Sequence, residues 1–218
     1  MSATYKSPLP DLANFGFLTL PGFSMIAFMS AVEVLRMAND VGGAQHYRWS
    51  LLTPDGVPVR ASNGITLKPA CTLEEAGLPD VLIVCGGTEI RSAVDSSVRE
   101  LLSNVAQQCV PLGGMCTGAY ALMSVGLLDD YCCTVDWEDL SVLRKEFPRV
   151  HFVDEAFVID RDRLTCAGGT APLDLMLNLV GSRLGRKLAT QVSLELNAFG
   201  STPLPAERLR CKSEDPVG

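Results

Sequence analysis

The segment Gly114-Met-Cys-Thr-Gly118 has the form G-x-C-x-G. It lies between a short apolar run, Val110-Pro-Leu-Gly-Gly114, and a helical stretch, Gly118 to Ser124. A side chain set on a sharp strand-turn-helix is presented as a nucleophile elbow presents its serine. Glycines on both sides let neighbouring backbones approach closely. A thiol opening a helix also feels the positive end of the helix dipole, which favours thiolate. The same residues would equally build a buried structural cysteine beside a tight turn. A second glycine turn, Gly86-Gly87-Thr88, cuts off the apolar run Val81-Leu-Ile-Val-Cys85. In an open α/β sheet, ligands bind beyond the C-terminal ends of the strands. Both turns then share one rim, where the amides of Gly87 and Thr117 suit an anionic oxygen. The plainer reading of two glycines is a strand stop.

The elements that must hold these turns follow from periodicity. Phe15 to Leu20, Tyr47 to Thr53, Ile65 to Lys68, Val81 to Cys85 and Val110 to Gly114 read as strands. Met25 to Asn39 places Met25, Phe28, Met29, Val32 and Leu35 at helical spacing. Ser92 to Gln107, Asp136 to Glu146, Thr170 to Leu184 and Lys187 to Ala198 read as further helices. Two or three short strands fall between Arg149 and Cys166. Strands alternating with helices predict a parallel sheet covered on both faces. The spans expected are a loose N-terminal arm over 1–14, one α/β domain over 15–200 and a polar linker stub over 201–218.

Composition narrows the function. The chain has 218 residues, 47% apolar and 20% charged, which is an ordinary globular balance for one domain. The net charge of −7 argues against a nucleic-acid grip by this chain itself. The eight cysteines lack a C-x-x-C pair and are joined by only two histidines, His46 and His151, so neither zinc nor another metal is expected. Several cysteines lie in apolar runs and read as buried free thiols, which suits a reducing, cytoplasmic compartment. No apolar run reaches the length of a membrane span, and the polar start lacks the pattern of a signal peptide.

Five segments together carry a family resemblance: Leu20-Pro-Gly-Phe23, Val84-Cys-Gly-Gly87, Gly114-Met-Cys-Thr-Gly-Ala119, Gly126-Leu-Leu-Asp129 and Thr165-Cys-Ala-Gly-Gly-Thr170. The chain resembles the ThiJ/PfpI superfamily, which is class I glutamine-amidotransferase-like. The resemblance implies a flavodoxin-like three-layer α/β sandwich with a mostly parallel sheet and a cysteine elbow. Tyr47-Arg-Trp-Ser-Leu-Leu52, Ser62-Asn-Gly64 and Ala171-Pro-Leu-Asp-Leu-Met-Leu-Asn178 are most similar to N-terminal sensing domains of AraC-family regulators. Within these, the likeness is to regulators of glycine betaine, carnitine and arginine catabolism. It implies a homodimer, a small quaternary-amine or amino-acid-like effector such as betaine, carnitine or a related amine, and DNA contact only through a C-terminal helix-turn-helix domain that this chain does not contain.

The departures from the superfamily bear on chemistry. Its enzymes place an acidic residue beside the cysteine, where this chain has Ala27. Many members carry a histidine 20 residues after the cysteine, where this chain has Asp136. A cysteine nucleophile needs a base or a cation beside it, whereas a carboxylate raises the thiol pKa. Cys116 is therefore expected to be a vestigial nucleophile, with no catalytic residue and no cofactor. The expected effector contacts are Ser24, Gly87, Thr88, Cys116, Thr117, Asp136, Trp137 and Thr170. Trp137 would offer a cation–π face, with Asp136 or Glu138 adding Coulomb attraction. Phe23 and Phe28 are further candidate walls. Against each stands a structural role: core for Phe23, Phe28 and Trp137, helix caps for Ser24 and Thr170, and a solvated first-turn carboxylate for Glu138. Two other readings stay open, a cysteine-dependent hydrolase or lyase resembling isonitrile hydratase, and a redox sensor oxidised at Cys116.

Overall fold

The computed structural model describes Leu9 and residues 11–196. The expected linker stub over 201–218 lies outside the described residues. In chain order the elements are β1 (Asn14–Thr19), α1 (Met25–Gly42), β2 (Arg48–Leu52), β3 (Val59–Arg60), β4 (Thr66–Leu67), α2 (Leu73–Ala76) and β5 (Val81–Cys85). They continue with α3 (Ile90–Ala93), α4 (Ser96–Gln107), β6 (Leu112–Met115), a 3-10 turn at Cys116–Gly118, α5 (Ala119–Met123), β7 (Cys132–Cys133) and α6 (Leu140–Glu146). The last are β8 (His151–Phe152), β9 (Phe157–Asp160), β10 (Arg163–Cys166), α7 (Ala171–Leu184) and α8 (Arg186–Glu195).

Six strands form one sheet in the order β2-β1-β5-β6-β10-β9. Its pairings are parallel except for the antiparallel hairpin β9–β10. The alternation of side chains along each strand divides the core into two layers. Phe15, Phe17, Ile83, Met115 and Cys166 pack with α1, α7 and α8 on one face. Leu18, Leu82, Val84 and Leu112 pack with α4 and α5 on the other. The result is the expected flavodoxin-like sandwich of three layers. The chain adds β2 outside β1 and then crosses back to β5, so the order reverses between β1 and β5. This reversal opens a crevice beyond the strand ends.

Several local expectations change. The stretch from Asp136 to Glu146 is helical only from Leu140, with Asp139 as its cap. The Asp139 carboxylate accepts from the Ser141 N–H at 2.9 Å, and that side-chain bond competes with an earlier helix start. Trp137 and Glu138 thus lie on the non-helical connection before the helix, and Glu138 is not a first-turn residue. The helix over 92–107 divides in two, because Asp95 caps a new helix by accepting from the Val98 N–H at 3.0 Å. Of the expected N-terminal arm, the described residues Leu9 and Leu12 are buried in the core, and the Asp80 carboxylate accepts from the Ala13 and Asn14 amides. Cys85, Cys116, Cys133 and Cys166 are buried free thiols. Cys132 is disulfide-bonded. Among the described residues no helix is long and apolar enough to cross a membrane, and no cluster of metal ligands occurs.

Candidate functional site

Parallel pairing sets the strand ends level: Cys85 registers with Met115, and Met115 with Cys166. The turns after β5, β6 and β10 therefore meet on one rim, together with the turn after β1. The fit is close. A Cβ on Gly86 would sit 2.4 Å from the Gly118 nitrogen, and one on Gly118 would sit 2.1 Å from the Val84 carbonyl oxygen. Such contacts tolerate only glycine. The Thr117 hydroxyl donates to the Gly87 carbonyl at 2.8 Å and ties the two turns together. On the other side, Gly87 bridges Phe23 through Ser24 N–H to Gly86 O at 2.9 Å and Thr88 N–H to Gly22 O at 3.1 Å.

Cys116 occupies the elbow with φ of 57°, a left-handed conformation that costs a non-glycine residue about 1–3 kcal/mol. Its side chain is 8% exposed. The S–H donates to Asp136 Oδ2 at 3.4 Å, and the Asp136 N–H returns a bond to the Cys116 carbonyl at 3.3 Å. Burial, then the Asp136 charge, then this hydrogen bond push the thiol up from 9.0 to about 12, opposed by the Thr117 N–H. The positive end of the following helix does not prevail, so the expectation of a dipole-favoured thiolate is corrected. The Cys116 N–H is turned toward the Cys166 sulfur, whose own pKa is also raised, chiefly by burial. Neither His46 nor His151 is a partner of Cys116. The arrangement holds a protonated thiol whose polar side-chain neighbour is the Asp136 carboxylate.

The other expected contacts fall in different places. Asp136 and Thr88 are on the exposed rim, while Gly87 is buried within it. The Gly87 N–H has no partner among the described residues. Ser24 caps α1, accepting from the Ala27 N–H at 3.4 Å. Thr170 stands at the start of α7 but makes no capping bond. Phe23 and Phe28 are in the core, with ring centroids 6.0 Å apart and edge-to-face. Ala27 is buried on α1 and carries no polar atom toward the thiol. Trp137 is partly buried and has one face covered. Its ring stacks on Tyr120 at 5.5 Å, and the Arg91 guanidinium lies 5.3 Å from its centroid.

Sequence reasoning missed Arg91, Tyr120, Glu146 and the close role of Gly168. A Cβ on Gly168 would sit 1.9 Å from Asp136 Oδ2, so this glycine makes room for the carboxylate beside the thiol. The motif Thr165-Cys-Ala-Gly-Gly carried that signal. The contacts of Arg91 join helices distant in sequence, and no spacing reports them.

The fold and the site define a doubly wound α/β domain with a cysteine elbow at the rim of its sheet. The chain belongs to the DJ-1/PfpI family, whose model matches residues 15–182. It is 44% identical over 180 residues to the HTH-type transcriptional regulator GbdR of Pseudomonas aeruginosa, a match covering 83% of this chain and 49% of that protein. The isonitrile hydratase of Pseudomonas putida is 30% identical over 193 residues, covering 87% of this chain and 80% of the enzyme. A crystal structure of an AraC family transcriptional regulator from Pseudomonas putida superposes with a TM-score of 0.77 at 32% identity, covering 84% of this chain and 99% of that one. The chain spans about half the length of GbdR.

Proposed function

We propose that residues 15–200 form the ligand-sensing, dimerising domain of an AraC-family transcription regulator acting in the cytoplasm. The effector is a small quaternary-amine or amino-acid-like metabolite, such as betaine, carnitine or arginine. DNA contact belongs to a separate helix-turn-helix domain rather than to residues 15–200. The observation that carries the reading is the Cys116–Asp136 pair. The position of a catalytic base holds a carboxylate that keeps the thiol protonated, with the pKa near 12. Ala27 supplies no acid to replace it. The elbow persists as a binding rim: the Gly87 and Thr117 amides suit an effector carboxylate, and Asp136 suits its cation. The likeness to GbdR over the sensor-sized half of that regulator supports the same reading.

The test is a thermal-shift screen against betaine, dimethylglycine, carnitine, choline and arginine. An effector at about 100 times its Kd adds about 2.7 kcal/mol, which raises Tm by roughly 5–10 °C in a domain of this size. The shift should vanish in Asp136→Asn. No shift with any compound refutes the amine sensor. One observation favours a cysteine-dependent enzyme instead, namely that the strained elbow at Cys116 is retained. Rapid alkylation of Cys116 below about pH 7 would select that reading.

A further inference from the structure

Asp136 belongs to the connection between β7 and α6, outside any helix or strand. Its carboxylate is exposed, and its bond to Cys116 uses an S–H, a weak donor. That bond is too weak to fix an exposed side chain on a non-helical connection, so the main chain must hold it in place.

In the segment 132–136 every second amide donates toward the sheet. The Cys132 N–H donates to the Asp160 carboxylate on β9 at 2.8 Å. The Thr134 N–H donates to the Thr165 hydroxyl on β10 at 3.0 Å. The Asp136 N–H donates to the Cys116 carbonyl after β6 at 3.3 Å. β9, β10 and β6 are consecutive strands of the sheet. The segment therefore crosses them as a strap with one rung on each. Its other side is held as well, because the Tyr131 and Cys133 carbonyls accept from the His151 and Val153 amides at 2.9 and 3.0 Å.

The middle rung differs from its neighbours. Both of its residues are buried, Thr165 fully and Thr134 to within 4% of its surface. Its acceptor is a side chain, so one substitution removes it without altering the main chain. The Thr134 hydroxyl donates in turn to the Glu155 carbonyl at 2.7 Å, which locks the strap from the β9 side. Asp136 is two residues further on, within about 7 Å along the chain. A buried N–H deprived of its acceptor is relieved only by moving toward water, and a strap that lifts at Thr134 carries Asp136 with it.

We propose that Thr165 is the positioning residue that sets Asp136 against Cys116, and that it acts on the thiol through that carboxylate. The inference rests on the Cys116–Asp136 pair that carries the sensor reading.

The test is iodoacetamide alkylation of Cys116 in the folded chain, followed against pH and assigned by peptide mapping. Thr165→Val keeps the side-chain shape and removes the acceptor. Drawing a carboxylate away from a thiol favours the thiolate. Thr165→Val should therefore speed alkylation at pH 8 at least threefold and move the inflection of the pH–rate profile downward. Thr165→Ser keeps the hydroxyl and should restore the unaltered profile. In the Asp136→Asn background, where there is no carboxylate to place, Thr165→Val should leave the inflection where it is. Thr134→Val breaks the bond to Glu155 instead and should shift the profile in the same direction; it replaces Thr165→Val if that chain does not fold. An unmoved inflection in the folded variant, while Asp136→Asn moves it, overturns the inference and leaves the sensor reading intact. A Thr165→Ser profile like that of Thr165→Val, or an equal shift with and without the Asp136 carboxylate, shows a general loosening and also overturns it. No shift in Asp136→Asn itself refutes the pair on which both readings stand.

Discussion

Replacing Asp136 with Asn removes one negative charge 3.4 Å from the Cys116 sulfur and keeps the side-chain shape. Two unit charges at that separation repel by about 5 kcal/mol at an effective dielectric of 20, and by about 1.2 kcal/mol at that of water. Asp136 is exposed, so the lower part of this range applies, and the thiol pKa should fall by roughly one to two units. It should stay above 9.0, because burial is the largest cause of its elevation and is untouched. With a pKa near 12, only about one thiol in ten thousand is ionised at pH 8. Alkylation by iodoacetamide at that pH should therefore be slow, and roughly tenfold or more faster in Asp136→Asn. The rate would be followed against pH and assigned to Cys116 by peptide mapping, since the chain has eight cysteines. Equal rates in both proteins, or an inflection near the ordinary thiol range in the unaltered chain, would refute the electrostatic argument and with it the loss of nucleophilic function.

Two further outcomes follow from the same geometry. Cys116 and Cys133 each have a pKa raised to about 12, so the unfolded chain releases these protons first as pH climbs. Their contribution is full below about pH 9 and lost as pH rises toward 12, at about 1.4 kcal/mol per pH unit for a buried thiol. Thermal denaturation across that window should show a falling Tm, with a shallower fall in Cys133→Ala. Alanine at Gly86 would press against the backbone nitrogen of Gly118, whereas alanine at Gly168 would press against the movable carboxylate of Asp136. Gly86→Ala should therefore destabilise by about 1–3 kcal/mol. Gly168→Ala should change stability less and speed Cys116 alkylation by displacing Asp136, as thermal melts and the mapping assay would report.

The sheet was legible because a strand buried on both faces must be continuously apolar, as Val81 to Cys85 is. The elbow was legible because only glycine fits where backbones touch, as at Gly86, Gly114 and Gly118. Helix starts were less so. The segment from Asp136 to Glu146 has helical composition throughout, yet the Asp139 cap delays the first turn to Leu140. Trp137 was expected as a ligand contact or as a core residue at a helix start, and it precedes the helix, which begins at Leu140. Its ring is claimed by Arg91 and Tyr120, which are 46 and 17 positions earlier in the chain.

The sequence by itself determined the layered α/β architecture, the position of the cysteine turn and the sign of the charge placed near it. Those properties depend on local periodicity, on glycine sterics and on residue type. The tertiary structure alone decided that Asp136 meets Cys116 within hydrogen-bond reach, that Gly168 makes room for it, and that Arg91 lies beside the stacked rings of Tyr120 and Trp137. Each of these joins segments brought together only when the strand ends align on one rim, and contact across a sheet leaves no period in the chain.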